Sequence, residues 1–126
     1  MKVEGRRAVI MGGASGIGLA IARQLADRGC QIVLADIDVA ALTICADERD
    51  AFRTFVCNVT QQEALEALAD FSWATLGGWD LVFANAGVGL PLRPLLDHTE
   101  AHARWVMEVN YFGVWHTLQT FGPRLI

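Results

Sequence analysis

Three glycines at fixed spacing constrain this chain more than any other feature. Gly12, Gly16 and Gly18 follow directly on a short apolar run, Arg7–Met11, and open a segment with helical spacing over residues 17–28. Each glycine has a separate physical use where a strand turns at once into a helix. Gly12 allows the tight turn, and Gly18 lets the new helix lie close on the sheet. Gly16 lets backbone approach a ligand with no Cβ in the way. The helix N-terminus offers unpaired N–H groups and a positive dipole end, which suits a phosphate. Ser15 adds a hydroxyl donor, and Ile17 completes the turn. Ile17, Ala20, Ile21, Gln24 and Leu25 are expected to share one face, and Gly29 to stop the helix.

The rest of the chain repeats this alternation. Strand-like runs are expected at Gln31–Asp36, 52–57 and 79–84. Asp38 caps a predicted helix over 39–49. Thr60 and Glu63 have the spacing of a capping box, opening a helix that Gly77 and Gly78 end. A further cap among residues 97–100 begins a long helical pattern reaching the C-terminus. Strands alternating with longer helices imply βαβ units and a parallel sheet. The runs IVLA and LVFA are apolar throughout, as strands covered on both faces are. Right-handed crossovers then give an α/β, doubly wound sheet in one domain, with strand order 3-2-1-4.

A second carboxylate-bearing position sharpens the glycine turn. Asp36 closes the second strand, where it can accept from both hydroxyls of an adenosine ribose and would repel a 2′-phosphate. Neither Ser15 nor Ile37 offers a positive charge to offset that repulsion. NAD is therefore expected over NADP. Gly87 and Gly89 bracket the exit from the fourth strand and permit close approach there.

Five motifs in order resemble the N-terminal half of a short-chain dehydrogenase/reductase, a Rossmann-type fold. They are the Gly12 to Gly18 turn, Asp36, Asn58-Val59-Thr60, Asn85-Ala86-Gly87, and Asn110 within Asn-Tyr-Phe-Gly. The resemblance implies that Asn58 and Val59 touch adenine and that Asn85, Ala86 and Gly87 line the cofactor. It implies a catalytic role for Asn110 in a proton relay. It also implies hydride transfer between NAD and a small alcohol or ketone, and homo-oligomerisation through the last helix. Three positions depart from the family pattern. Met11 stands where Thr is usual, Ala84 replaces a first Asn, and Asn58 replaces Asp. The Asn58 amide oxygen is expected to accept from the adenine amino group.

The family's Ser and Tyr-x-x-x-Lys do not occur in these 126 residues. Tyr111 is the single Tyr, Lys2 the single Lys, and Ser15 and Ser72 the two serines. The chain accordingly reads as a cofactor-binding half, incomplete at its C-terminus and expected to be inactive alone. Two alternatives stand beside that reading. One is a non-catalytic nucleotide-binding module. The other is a truncated product that does not fold alone because the fourth strand's outer edge is unpaired.

Composition bears on partners. Hydrophobic residues are 53% before the 12 glycines are counted, and charged residues only 19%. Ordinary domains reach roughly 45–50% apolar with glycine included. Disorder is excluded, and no run approaches the roughly 18 apolar residues of a membrane span. A net charge of −4 argues against nucleic acid. Exposed apolar surface is expected beside the fourth strand and along the last helix. Two stripes are predicted on that helix: Trp105, Val109 and Phe112, and Met107, Tyr111, Val114, Leu118 and Phe121. His116 is expected to pack within it. His98 and His102 lie four apart but lack a third ligand, so a solvated face is expected and no metal site. Cys30, Cys45 and Cys57 form no CxxC and read as reduced thiols. No signal-peptide pattern opens the sequence, and a cytoplasmic setting is expected.

Overall fold

The computed structural model describes residues 2–125. Four strands, β1 (Arg7–Met11), β2 (Gln31–Asp36), β3 (Phe52–Val56) and β4 (Leu81–Ala84), pair in the parallel order β3-β2-β1-β4. Helices α1 (Gly16–Ala26), α2 (Val39–Ala46) and α3 (Gln62–Leu76) make the crossovers. After β4 come α4 (Glu100–Met107), a π-turn (Glu108–Phe112), α5 (Gly113–Phe121) and a 3-10 turn (Gly122–Arg124). Ile126, the end of the predicted last helix, lies outside the described residues.

Period-two alternation in the strands builds a core on each face. Ala8, Ile10, Ile32 and Leu34 face Ala22, Leu25 and Leu42 of α1 and α2. Val9, Met11, Val33 and Ala35 face Leu65 and Leu68 of α3 and Phe121 of α5. Residues 8–11 and 32–35 are essentially inaccessible. That explains why these two strands are apolar at every one of those positions.

Two anchors join β4 to the rest. The Asp80 carboxylate accepts from Arg7 Nε at 2.9 Å, Arg7 Nη2 at 3.1 Å and the Arg7 backbone N–H at 2.9 Å. The Asp80 N–H returns a bond to Arg7 O at 2.9 Å. Next to it, Trp79 is fully buried and its indole N–H donates to Phe121 O at 3.1 Å. That bond fixes where α5 ends.

Several predicted details shift for identifiable reasons. The buried side of α1 is Gly18, Ala22 and Leu25, while Ile17 is 73% exposed and Ala20 and Gln24 also face out. Gly18 sets that phase, because a Cβ there would collide with Gly12 O and the Asn85 amide. Helix α2 stops at Ala46, three residues early, in a tight turn with Glu48 N–H on Cys45 O at 3.0 Å. The Glu48 carboxylate then pairs with Arg23 of α1. The capping box at Thr60 does not form. Gln61 is the N-cap of α3 and no side chain caps it, because Thr60 turns back to Asn58. Gly77 ends α3 in the left-handed conformation, φ 74°. On α4 the cap is Thr99, with the His102 ring accepting from the Thr99 N–H, so this histidine is part of a capping box.

The last helix buries neither predicted stripe. Its sheet-facing row is Val109, Gly113, Thr117 and Phe121. Gly113 lies so close to Val59 that a Cβ would come within 2.8 Å of its side chain. The Thr117 hydroxyl donates to Gly113 O at 2.7 Å, which satisfies it in the core. Small and polar residues thus occupy positions where hydrophobicity alone places large apolar ones. His116 is half-buried. Trp105, Met107, Tyr111, Phe112, Trp115 and Leu118 are exposed, and all four β4 residues are only half-buried. The apolar surplus therefore does surface beside β4 and along this helix.

Candidate functional site: a cleft at the strand ends

A cleft of about 490 Å³ runs across the C-terminal ends of the four strands. In open parallel sheets this is where ligands bind, at the point where the strand order reverses. Here the reversal falls between β1 and β4, and the glycine turn sits at the cleft's middle. Gly12, Ser15, Gly16 and Ile17 line that middle section. Gly12 has φ 69°, and a Cβ there would press on Ala86 Cα at 3.0 Å. Gly16 has φ 53°, and nothing lies within 4 Å of where its Cβ would be. The first glycine therefore serves close packing, and the second leaves an open cradle. Ser15 occupies the N-cap of α1 without bonding back to the helix, so its hydroxyl and the first-turn N–H groups stay open. Gly18 lies behind the cleft, against Gly12.

Asp36 marks one end. Its Oδ2 accepts from the Ala14 N–H at 3.1 Å and its Oδ1 from the Asp38 N–H at 3.1 Å. A carboxylate has about four acceptor sites, so two remain for a ligand. The carboxylate thereby pins the glycine turn as well as facing the cleft. Ile37, Cys57, Asn58, Val59 and Thr60 continue this end. Burial pushes the Cys57 thiol up to about 11, so it is no nucleophile.

Asn58 does not offer the atom that the sequence suggests. Its Oδ1 accepts from the Thr60 N–H at 3.0 Å and from the Thr60 hydroxyl at 2.7 Å. The backbone N–H can only donate, which fixes the amide orientation. The oxygen expected to meet an amino group is occupied, and among the described residues the NH₂ group is the one without a partner.

Asn85, Ala86, Gly87 and Val88 form the other end, with Trp105 and Val109 of the last helix. Asn85 Nδ2 donates to both Met11 O and Gly12 O at 3.2 Å. This amide ties β4 to the glycine turn and supplies a link where Met11 has no hydroxyl to give. Asn110 sits in the π-turn and bonds Val88 twice. Its Oδ1 accepts from Val88 N–H and its Nδ2 donates to Val88 O, each at 2.8 Å. The amide is exposed rather than buried.

The sequence-predicted positions thus lie on one cleft or, for Gly18 and Asn110, directly behind and beside it. Trp105 and Val109 are cleft residues, although their apolar spacing alone points to helix packing. That four-residue spacing ends next to Asn110, which is the signal in the sequence for a place near the site. Ile37 lines the cleft as an apolar residue, where the sequence marks it only as lacking a positive charge.

The family model for short chain dehydrogenase matches residues 6–126. The chain belongs to the short-chain dehydrogenase family. It is 40% identical over 131 residues to the 1-deoxy-11-beta-hydroxypentalenate dehydrogenase of Streptomyces exfoliatus, covering 100% of this chain and 48% of that relative. A short chain dehydrogenase/reductase from Burkholderia phymatum, solved in complex with NAD, superposes with a TM-score of 0.89 at 34% identity. That match covers 99% of this chain and 46% of the solved one. The 3-ketoacyl-(acyl-carrier-protein) reductase of Brucella melitensis, complexed with NADH, gives 0.93 at 25% identity, over 98% and 51%. This short-chain dehydrogenase chain therefore spans about half the length of the relatives it matches. The fold expected from the motifs, including strand order 3-2-1-4, is the fold of these structures.

Proposed function

We propose that this chain is the cofactor-binding half of an NAD-dependent oxidoreductase acting on a small alcohol or ketone. The observation that carries the choice of NAD is Asp36, a carboxylate on a cleft whose lining includes no Lys or Arg. A 2′-phosphate at that carboxylate would meet repulsion with no compensating cation. The open N–H groups at α1, the Gly16 cradle and the Ser15 hydroxyl hold the pyrophosphate. Ile37, Asn58 and Val59 border the base, and residues 85–88 border the nicotinamide ribose. When bound, the nicotinamide supplies the hydride donor or acceptor. Asn110 orders the wall of the nicotinamide end through Val88 and, by family resemblance, contributes to proton transfer.

Calorimetry with NAD and NADP on the purified chain tests this reading. NAD should bind at least about tenfold more tightly, a difference of about 1.4 kcal/mol. Equal or reversed affinities would sink it.

A second reading keeps the site without the chemistry: a nucleotide-binding module. Alcohol-dependent reduction of NAD by the chain alone would rule out that reading. The exposed apolar face of α4 and α5 supports a second copy of the chain as partner. Three buried thiols without a disulfide support a reducing, cytoplasmic setting.

A further inference from the structure

In a doubly wound sheet later strands add beyond β4, so β3 is the outermost strand on its side. Its bonding to β2 fixes which of its backbone groups face in. Ile32 N–H donates to Ala51 O and Cys57 N–H to Asp36 O, both at 2.9 Å, with Ile32 in register with Phe52. Backbone groups of successive strand residues point to opposite edges. Arg53 and Phe55 therefore bond β2, while Phe52, Thr54 and Val56 turn their N–H and C=O outward.

Phe52 is already covered. Its N–H donates to Arg49 O at 3.0 Å, and its carbonyl accepts from Arg53 Nη1 at 3.0 Å. That guanidinium, also on Asp50 O at 2.6 Å, guards one end of the edge in the way charged side chains guard exposed strands. Beyond it the edge is open. The N–H and C=O of Thr54 and Val56 have no partner among the described residues, and Val56 is 53% exposed.

Two donors and two acceptors on alternate residues are complementary to a second copy of themselves. With β3 and its copy antiparallel about Phe55, Thr54 exchanges both bonds with Val56 of the copy, and Val56 with Thr54 of the copy. All four open groups on each strand are then paired. A register centred on Thr54 calls on the covered groups of Phe52. One centred on Val56 calls on Asn58 O, which already accepts from Gln61 N–H at 3.0 Å. Phe55, packed on Phe71 with ring centroids 4.9 Å apart, meets its own counterpart at the non-hydrogen-bonded position, where Cα atoms approach to about 4.5 Å. Arg53 falls opposite Cys57, so no like charges oppose each other.

We propose that the β3 edge pairs with the β3 edge of a second copy, antiparallel and centred on Phe55, joining two four-stranded sheets into one. Two residues on each strand make a contact well below the roughly 1,000 Å² of a stable interface, so the pairing is weak and concentration-dependent. It lies at the opposite edge of the sheet from β4, against which α5 packs.

Backbone amide exchange is followed by NMR on the full chain at about 20 µM and at about 1 mM, a span that brackets a weak contact. The Thr54 and Val56 amides should slow together by about twofold or more at the higher concentration. The Arg53 and Phe55 amides, held by β2, should be slow at both. Thr54→Lys with Val56→Lys sets like charges opposite each other twice and should abolish the concentration dependence. Thr54→Pro is tolerated where an N–H faces solvent, deletes two of the four bonds, and should do the same at the Val56 amide, which covers a charged variant that fails to fold. Exchange at Thr54 and Val56 that does not change with concentration overturns the proposal. A dependence that survives the substitutions overturns it as well, because another surface then carries it.

Discussion

Asn110 holds Val88 by both of its backbone groups at once, donating to Val88 O and accepting from Val88 N–H at 2.8 Å each. A side-chain amide carries both the donor and the acceptor that such a pair needs. The residue most associated with chemistry by resemblance is, in this geometry, a brace for the loop that leaves β4. Asn110→Ala should lower stability by about 1–2 kcal/mol, two net hydrogen bonds at a partly solvated site. NAD affinity should fall with it as residues 85–88 loosen. Asn110→Asp should do no better, since it sets a carboxylate oxygen against Val88 O. Urea midpoints with parallel NAD titrations measure this, and an unchanged midpoint for Asn110→Ala would contradict the brace.

The three glycines should fail in different ways. Gly16 has φ 53° and open space beyond it. Gly16→Ala should cost about 1 kcal/mol of stability from the positive φ, and weaken NAD binding by far more than that stability loss suggests. Gly18→Ala has no room, with Gly12 O and the Asn85 amide in the way. It should unfold or distort the turn before binding can be asked about. Thermal melts and NAD titrations on both variants separate the cases. A Gly18→Ala chain with ordinary melting would refute the packing argument.

Acid should undo the clamp on β4. The Arg7 side chain and backbone hold the Asp80 carboxyl down to about 2, below its ordinary 3.8. A lowered folded value means the stabilisation is complete above about pH 4 and is lost as pH falls through 2. Asp80 is 9% exposed, so the coupling is worth about 2 kcal/mol at neutral pH. Asp80→Asn should remove that increment at pH 7 and flatten the stability profile between pH 4 and 2. Denaturation curves at stepped pH report it, and parallel profiles for the two proteins would dismiss the clamp.

Trp79 ties the start of β4 to the end of α5 through one indole N–H. Trp79→Phe keeps most of the packing against Phe121 and Trp73 but removes the donor that Phe121 O accepts. It should cost about 1 kcal/mol. Trp79→Ala adds a cavity and should cost about 3–5 kcal/mol. An unchanged urea midpoint for Trp79→Phe would mean the bond contributes nothing.

The outer face of α4 and α5 should govern association. Trp115 is 53% and Leu118 59% exposed, outside the buried row of Gly113, Thr117 and Phe121. If a second copy covers them, Trp115→Glu with Leu118→Glu should give a monomer by sedimentation, with NAD affinity retained. A chain that is monomeric before substitution removes that partner from consideration.

The sequence exposed the strands more faithfully than the helices, and the reason is physical. The spans of β1 and β2 match their apolar runs residue for residue, because burial on both faces leaves no other pattern. Helix phase is harder. In α1 it is set by where Gly18 touches Gly12, and in α5 by Gly113 touching Val59. Both are absences of a side chain, which a hydrophobicity count passes over. The π-turn at Glu108–Phe112 is invisible for a related reason, since it carries Asn110 onto a loop distant in the chain. Of the site, the glycines and Asp36 could be found from spacing along the chain. The orientation of Asn58 could not, because Thr60's turn toward it replaced a capping box that the spacing favoured.

Asp36 joins two duties that evolution would otherwise vary separately. Its carboxylate faces the cleft and also fastens the Ala14 and Asp38 amides. Exchanging it for a small or basic residue takes two bonds from the loop and leaves it the Gly13 N–H on Ala35 O and the Asn85 amide on Gly12 O. A substitution at position 36 therefore changes the chemistry of the cleft and the order of the glycine turn together, and the two cannot be tuned one at a time.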